Sequence, residues 1–151
     1  MKTLTTILLT FVAVAINKCS SSDTRELKEN LAIEYQASTR GSQSKLIIKN
    51  DSLIVMEEGR NESVNYYPLS NKDWNTLVKE VNKIDKEKVK TYKAPTNKRA
   101  VDAARTTQIK VVYKGEVYES DLFDEGNPPT EIKSLVDKVA DLYLKTQKNK
   151  K

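Results

Sequence analysis

Leu31-Ala32-Ile33-Glu34-Tyr35-Gln36-Ala37-Ser38 alternates apolar and polar residues. Period two marks a half-buried strand, because successive side chains point to opposite faces of a sheet. Leu31, Ile33, Tyr35 and Ala37 thus form a core face, and Glu34 and Gln36 a wet one. The pattern recurs downstream. Thr39-Arg40-Gly41-Ser42-Gln43-Ser44 reads as a loop. Residues 45–49 and 52–57 are β-rich runs joined by Asn50-Asp51, residue types that tolerate the positive φ of a tight hairpin. Glu58-Gly59-Arg60-Asn61 makes the next turn. Residues 62–67 form a fourth strand with Val64 and Tyr66 on one face, and Pro68 stops the ladder.

The period then changes. Ser70 caps a helix, and Asp73 three residues on completes a variant of the capping box. Trp74, Leu77, Val78, Val81 and Ile84 lie on one helical face, with Trp74 as the anchor on the sheet. Residues 85–107 are irregular. Residues 107–113 and 116–122 are two further strands around a Lys114-Gly115 turn. Ile109, Val111 and Tyr113, then Val117, Ser120 and Leu122, are assigned to their inner face. Phe123-Asp124-Glu125-Gly126-Asn127-Pro128-Pro129 reads as a rigid loop. Thr130 caps a last helix whose apolar face is Ile132, Leu135, Val136, Val139, Leu142 and Tyr143. The expected class is α+β, in the order ββββ-α-ββ-α. The simplest architecture is a two-layer sandwich of an antiparallel sheet, about six strands, with two helices on one face.

Upstream, Met1-Lys2 precedes an apolar run over residues 4–16, followed by Asn17-Lys18-Cys19-Ser20-Ser21-Ser22. A run of that length suits a signal peptide rather than a membrane span of roughly 20 residues. The order resembles a bacterial lipoprotein signal, in which the cysteine thiol is lipidated and becomes the mature N-terminus. Lys18 stands where the usual pattern has a small residue; looser versions are common in the Bacteroidetes group. The alternative is a plain secretory signal cut after Ala13 or Ala15, giving a soluble periplasmic or secreted product. Cys19 is the single cysteine, so it forms no intramolecular disulfide. Two acyl chains on it would hold the domain firmly at a membrane. The expected organisation is a lipoprotein signal over 1–18, a flexible tether over 19–30, one domain over 31–144 and a basic tail over 145–151.

The formal charge is +5 over 151 residues. Lys2 and Lys18 sit in the leader, and Lys145, Lys148, Lys150 and Lys151 in the tail, so the body between them is close to neutral. A nucleic-acid surface needs a basic face with stacking aromatics, and this body does not suit one. The chain has no histidine. Ser-His-Asp and Cys-His catalysis and histidine-containing zinc sites are therefore excluded by composition. No catalytic motif, cofactor motif or metal motif is present, and the expected role is not enzymatic.

Thr91-Tyr92-Lys93-Ala94-Pro95-Thr96, Arg99, Asp102-Ala103-Ala104 and the run from Phe123 to Pro129 carry a resemblance. On these residues the chain resembles small lipoproteins of Flavobacteria and their relatives, over most of residues 32–144. The resemblance implies the envelope address and the fold. That family has no assigned activity, so no catalytic residue carries across.

Residues 86–105 contain seven basic and two acidic residues. Long loops inside compact domains are commonly functional, which makes this segment the first candidate site. Two readings apply. Arg99 pairs with Asp124 or Asp121 and pins one loop on the other, or Lys98, Arg99 and Arg105, with Tyr92 alongside, form a patch for an anion or an acidic partner. Asp121, Asp124, Glu125 and Asn127 are oxygen donors that loosely suggest calcium, but their spacing is not that of an EF-hand. The same carboxylates could serve a glycosidase-like acid/base pair, and Tyr66, Tyr67, Trp74 and Tyr92 a sugar-stacking surface. The resulting expectation is a membrane-anchored envelope lipoprotein that binds another envelope protein without catalysis. A glycan- or small-anion-binding module is the second reading and an envelope hydrolase the third.

Overall fold

A computed structural model describes residues 30–60 and 62–148. The expectations on the signal, on Cys19, on the tether up to residue 29 and on residues 149–151 lie outside the described residues.

The alternating runs form one antiparallel sheet. Its strands are β1 (Leu31–Ser38), β2 (Gln43–Lys49), β3 (Ser52–Glu58), β4 (Ser63–Pro68), β5 (Thr106–Tyr113), β6 (Glu116–Glu119) and the two-residue β7 (Phe123–Asp124). The spatial order is β4-β3-β2-β1-β5-β6, with β7 also on β5. Helices α1 (Asn71–Lys83) and α2 (Lys133–Lys148) complete the α+β fold. Register aligns Tyr67, Leu53, Ile48, Ile33 and Val111 in one cross-strand row. That row and its neighbours pack against Trp74, Leu77 and Val81 of α1 and Leu135, Val139 and Leu142 of α2 in a single core. Trp74 is completely buried, as an anchor should be. The β5–β6 turn has positive φ at both Lys114 and Gly115, the twist that suits a two-residue hairpin.

The last third departs from the expected pattern at one point. Lys110 pairs with Glu119, but Thr107 pairs with Phe123. Gln108 and Ile109 therefore face Ser120, Asp121 and Leu122, which inserts one extra residue as a β-bulge. Ser120 holds the bulge in place. Its N–H donates to Ile109 O at 2.9 Å, and its Oγ accepts from Ile109 N at 3.2 Å and donates to Asp121 O. Val117 (59 % exposed) faces water ahead of the bulge, because the two-residue turn pairs it with Val112 on the outer face. The extra residue then reverses the alternation, so Leu122 (45 %) points to water and Phe123 (0 %) fills the core. The assignment of Val117 and Leu122 to the inner face, and of Phe123 and Asp124 to a loop, is thus corrected; Ser120 is buried as expected.

Two further boundaries shift. Thr130 does not cap the last helix; it opens a 3₁₀ turn, Thr130–Ile132, that leads into α2 at Lys133. The helix also runs on to Lys148 with Thr146 buried, so the first turn assigned to the tail belongs to the domain.

α1 begins as the capping box predicts. Ser70 Oγ accepts from Asp73 N at 3.1 Å and donates to Asp73 Oδ2 at 2.7 Å. Asp73 Oδ1 also accepts from Lys138 Nζ at 2.7 Å and Lys145 Nζ at 3.2 Å, joining the start of α1 to α2. The Lys138 ammonium is the main reason the Asp73 carboxyl titrates well below the usual carboxylate range, with Ser70 and Lys145 assisting against partial burial. An unfolded aspartate takes up its proton near pH 4. Below that pH the unfolded chain binds more protons than the folded one, so stability present above about pH 4 is lost as the pH falls. A melting temperature that declines from about pH 4 downward, with a shallower decline in Asp73→Asn, is the expected result. Identical slopes for both proteins would refute this role for Asp73.

Candidate functional site

Between α1 and β5 the chain is irregular but not loose. Lys86–Thr91 and Lys98–Val101 are short 3₁₀ helices. Val89 is buried in the core, and Tyr92 and Ala94 pack against it. The Tyr92 hydroxyl donates to Asp85 O at 3.2 Å.

The second half of the segment closes around one carboxylate. Asp124 Oδ2 accepts from Thr96 Oγ1 at 2.5 Å and from Lys98 N at 2.7 Å. Asp124 Oδ1 accepts from Arg99 N at 3.0 Å and from Arg99 Nη1 at 3.2 Å. Lys98 and Arg99 open the second 3₁₀ helix, so their amides have no partner within it. Asp124, about 25 residues downstream, serves as their cap. Burial alone would raise the carboxyl's pKa. The bonds from Thr96, from the Arg99 and Lys98 amides and from the guanidinium outweigh it and hold Asp124 well below the usual range. Arg99 Nη1 also donates to Thr96 O at 3.0 Å.

Arg105 makes the second clamp. Its Nη2 donates to Ala37 O at 2.7 Å and Ser44 Oγ at 2.8 Å, and its Nη1 to Glu125 Oε1 at 3.3 Å. The guanidinium thus joins the end of β1, the start of β2 and the turn after β7. Nearby, the Tyr143 hydroxyl donates to Glu57 Oε1 at 2.8 Å. Burial, together with that bond to a carboxylate, pushes the Tyr143 phenol up to about 12.

These contacts sort the candidate residues. Arg99 meets Asp124 and not Asp121, which is exposed and lines a different groove. Tyr92, Lys98, Arg99 and Arg105 do not form one patch: three make internal hydrogen bonds, and only the Lys98 side chain is free to face outward. The oxygen donors do not converge either. Asp124 is filled by N–H and O–H donors, Glu125 turns to Arg105, and Asp121 faces water. Among the described residues no group of three or more His, Cys, Asp or Glu is placed to hold a metal ion. The four aromatics are spread out: Tyr66 is exposed on the open sheet face, Tyr67 lies on the helix side, Trp74 is buried and Tyr92 is half-buried. Thr96, Ser44 and the Ala37 carbonyl make clamping contacts that no sequence spacing signalled, since their partners lie 28, 61 and 68 residues away.

What the clamps leave outside is a set of exposed side chains. Lys90, Lys93 and Lys98 are exposed, and none has an ion-pair partner among the described residues. Val101, 76 % exposed, ends the second 3₁₀ helix. A polar groove of about 560 Å³ runs between Lys86–Thr91 and β6, lined by Lys86, Lys90, Gln108, Tyr118 and Asp121. The Lys86 ammonium sits 4.9 Å above the Tyr113 ring, a cation–π contact that fixes one wall. Among the described residues no helix is long and apolar enough to cross a membrane. No protein-family model matches the chain, and no curated protein matches it closely enough to be a relative.

Proposed function

We propose that this chain is a lipid-anchored lipoprotein of a bacterial cell envelope, whose α+β domain binds another envelope protein without catalysing a reaction. The leader supports the address: a short apolar run ends at Cys19, followed by serines. The observation that carries the binding role is the segment between α1 and β5. Core packing of Val89, Tyr92 and Ala94 and the bonds to Asp124 hold it, yet it presents Lys90, Lys93, Lys98 and the apolar Val101 to water. Holding charges in place before encounter lowers the ordering cost of association. Unpaired cations favour an acidic partner surface and speed encounter with it.

Two measurements test this. Cells labelled with a clickable fatty acid should yield labelled protein in the membrane fraction, and Cys19→Ser should carry no label. An unlabelled, soluble wild type would overturn the anchor. Crosslinking in intact cells should then capture a partner that the Lys90→Glu/Lys93→Glu/Lys98→Glu variant loses, with an unchanged melting temperature. Capture that survives the triple reversal would overturn these lysines as the contact. A sugar or small anion that raises the melting temperature would favour the glycan- or anion-binding reading.

A further inference from the structure

The two edges of the sheet are treated differently. The β6–β7 edge is broken by the bulge, carries Glu116, Glu119 and Asp121, and lies beside the 3₁₀ helix Lys86–Thr91. Charges and bulges of this kind protect an edge from pairing with another chain. β4 has none of them. Among the described residues it pairs only with β3, and Ser63-Val64-Asn65-Tyr66-Tyr67 contains no charge. Two of its residues are exposed apolar side chains on the open face, Val64 at 52 % and Tyr66 at 71 %. Register places Ile54 beside Tyr66, Met56 beside Val64, and Ile47 beside Ile54. An apolar stripe therefore runs across β2 and β3 and ends at the free edge.

We infer that β4 pairs antiparallel with β4 of a second copy of this chain, joining two sheets across a two-fold axis. The uncharged run 63–67 is symmetric about Asn65. A register centred there sets Val64 of one copy against Tyr66 of the other, twice, and Ser63 against Tyr67. It leaves Glu62 and Pro68 outside the ladder. An isologous contact needs such self-complementarity, and apolar cross-strand pairs stabilise it while like charges would oppose it. The same register brings the two apolar stripes together on one face. A strand-edge contact is smaller than a standard stable interface, so the dimer is expected to be weak in dilute solution. Confinement at a surface would strengthen it.

Asn65 provides the test, because the chain has a single native cysteine. Directly opposed residues of an antiparallel ladder have Cα atoms about 4.5–5.5 Å apart, within disulfide range. In a full chain carrying Cys19→Ser, Asn65→Cys should oxidise to a covalent dimer of twice the chain mass, and Gln36→Cys on the open face should not. Sedimentation at rising concentration should give a dimer that Tyr66→Lys returns to a monomer. Tyr66 is largely exposed in the single chain, so the melting temperature of dilute Tyr66→Lys should match wild type. A monomer at every concentration, equal crosslinking of the two cysteine variants, or an Asn65→Cys crosslink to a different protein would overturn the inference.

Discussion

Asp124→Asn should lower the melting temperature by about 10 °C or more, because it breaks a buried carboxylate away from its donors. Asparagine has nearly the same shape, but it replaces one accepting oxygen with an NH₂ group. That group would face the Lys98 or Arg99 amide, which already donates into the site. Two donors would then meet without an acceptor, and the opening amides of the Lys98–Val101 turn would lose their cap. The loss should be concentrated in one place. Hydrogen exchange should quicken over residues 96–101 in the variant before the sheet opens, since the hydrogen bonds to this carboxylate come from Thr96, Lys98 and Arg99. Asp121→Asn is the control. Its side chain is exposed and unbonded to Arg99, so its melting temperature should stay at the wild-type value. Equal effects of the two substitutions would refute the pinning of this segment by Asp124. Arg99→Ala should fall between them, because it removes one donor and leaves those from Thr96 and the two backbone amides.

Phe123→Ala should cost about 3–5 kcal/mol, the usual range for emptying a fully buried aromatic site. Leu122→Ala next to it should cost less than about 0.5 kcal/mol, as for an exposed position. Urea unfolding of both variants reads the difference directly as a shift in midpoint. The pair is informative because unbulged pairing with β5 gives the reverse ranking: it would set Leu122 against the buried Thr107 and Phe123 against Thr106. A larger cost at Leu122 would refute the bulge at Ser120 to Leu122. Since Asp124 follows Phe123 directly, the same register shift also delivers the carboxylate to the Lys98–Val101 turn. Unbulged pairing would displace both side chains together.

How much was legible in the sequence differs by element. The alternation in β1 assigned its core face correctly, and that in β4 set Val64 and Tyr66 on one side and Tyr67 on the other. The Trp74 to Ile84 spacing gave the buried face of α1, and Ser70 with Asp73 gave its start. These features depend on residues within a few positions of one another, and the hydrophobic period records them. The long segment was harder. Its charge marked it as distinctive and placed Arg99 near an acidic loop. It could not say that Arg99 and Arg105 would be consumed by internal partners while Lys90, Lys93 and Lys98 stayed outside.

The sequence by itself determined the α+β class, the order of elements, the faces of β1, β4 and both helices, and the absence of histidine chemistry. Only the tertiary structure decided the bulge at Ser120, the burial of Phe123, the capping of a 3₁₀ turn by Asp124 and the contrast between two sheet edges. The physical reason is range. Local periodicity is written in neighbouring residues. A bulge is set by how a strand meets its partner, and Asp124 and Arg105 find their donors and acceptors 20 to 68 residues away, where the chain carries no local mark of the encounter.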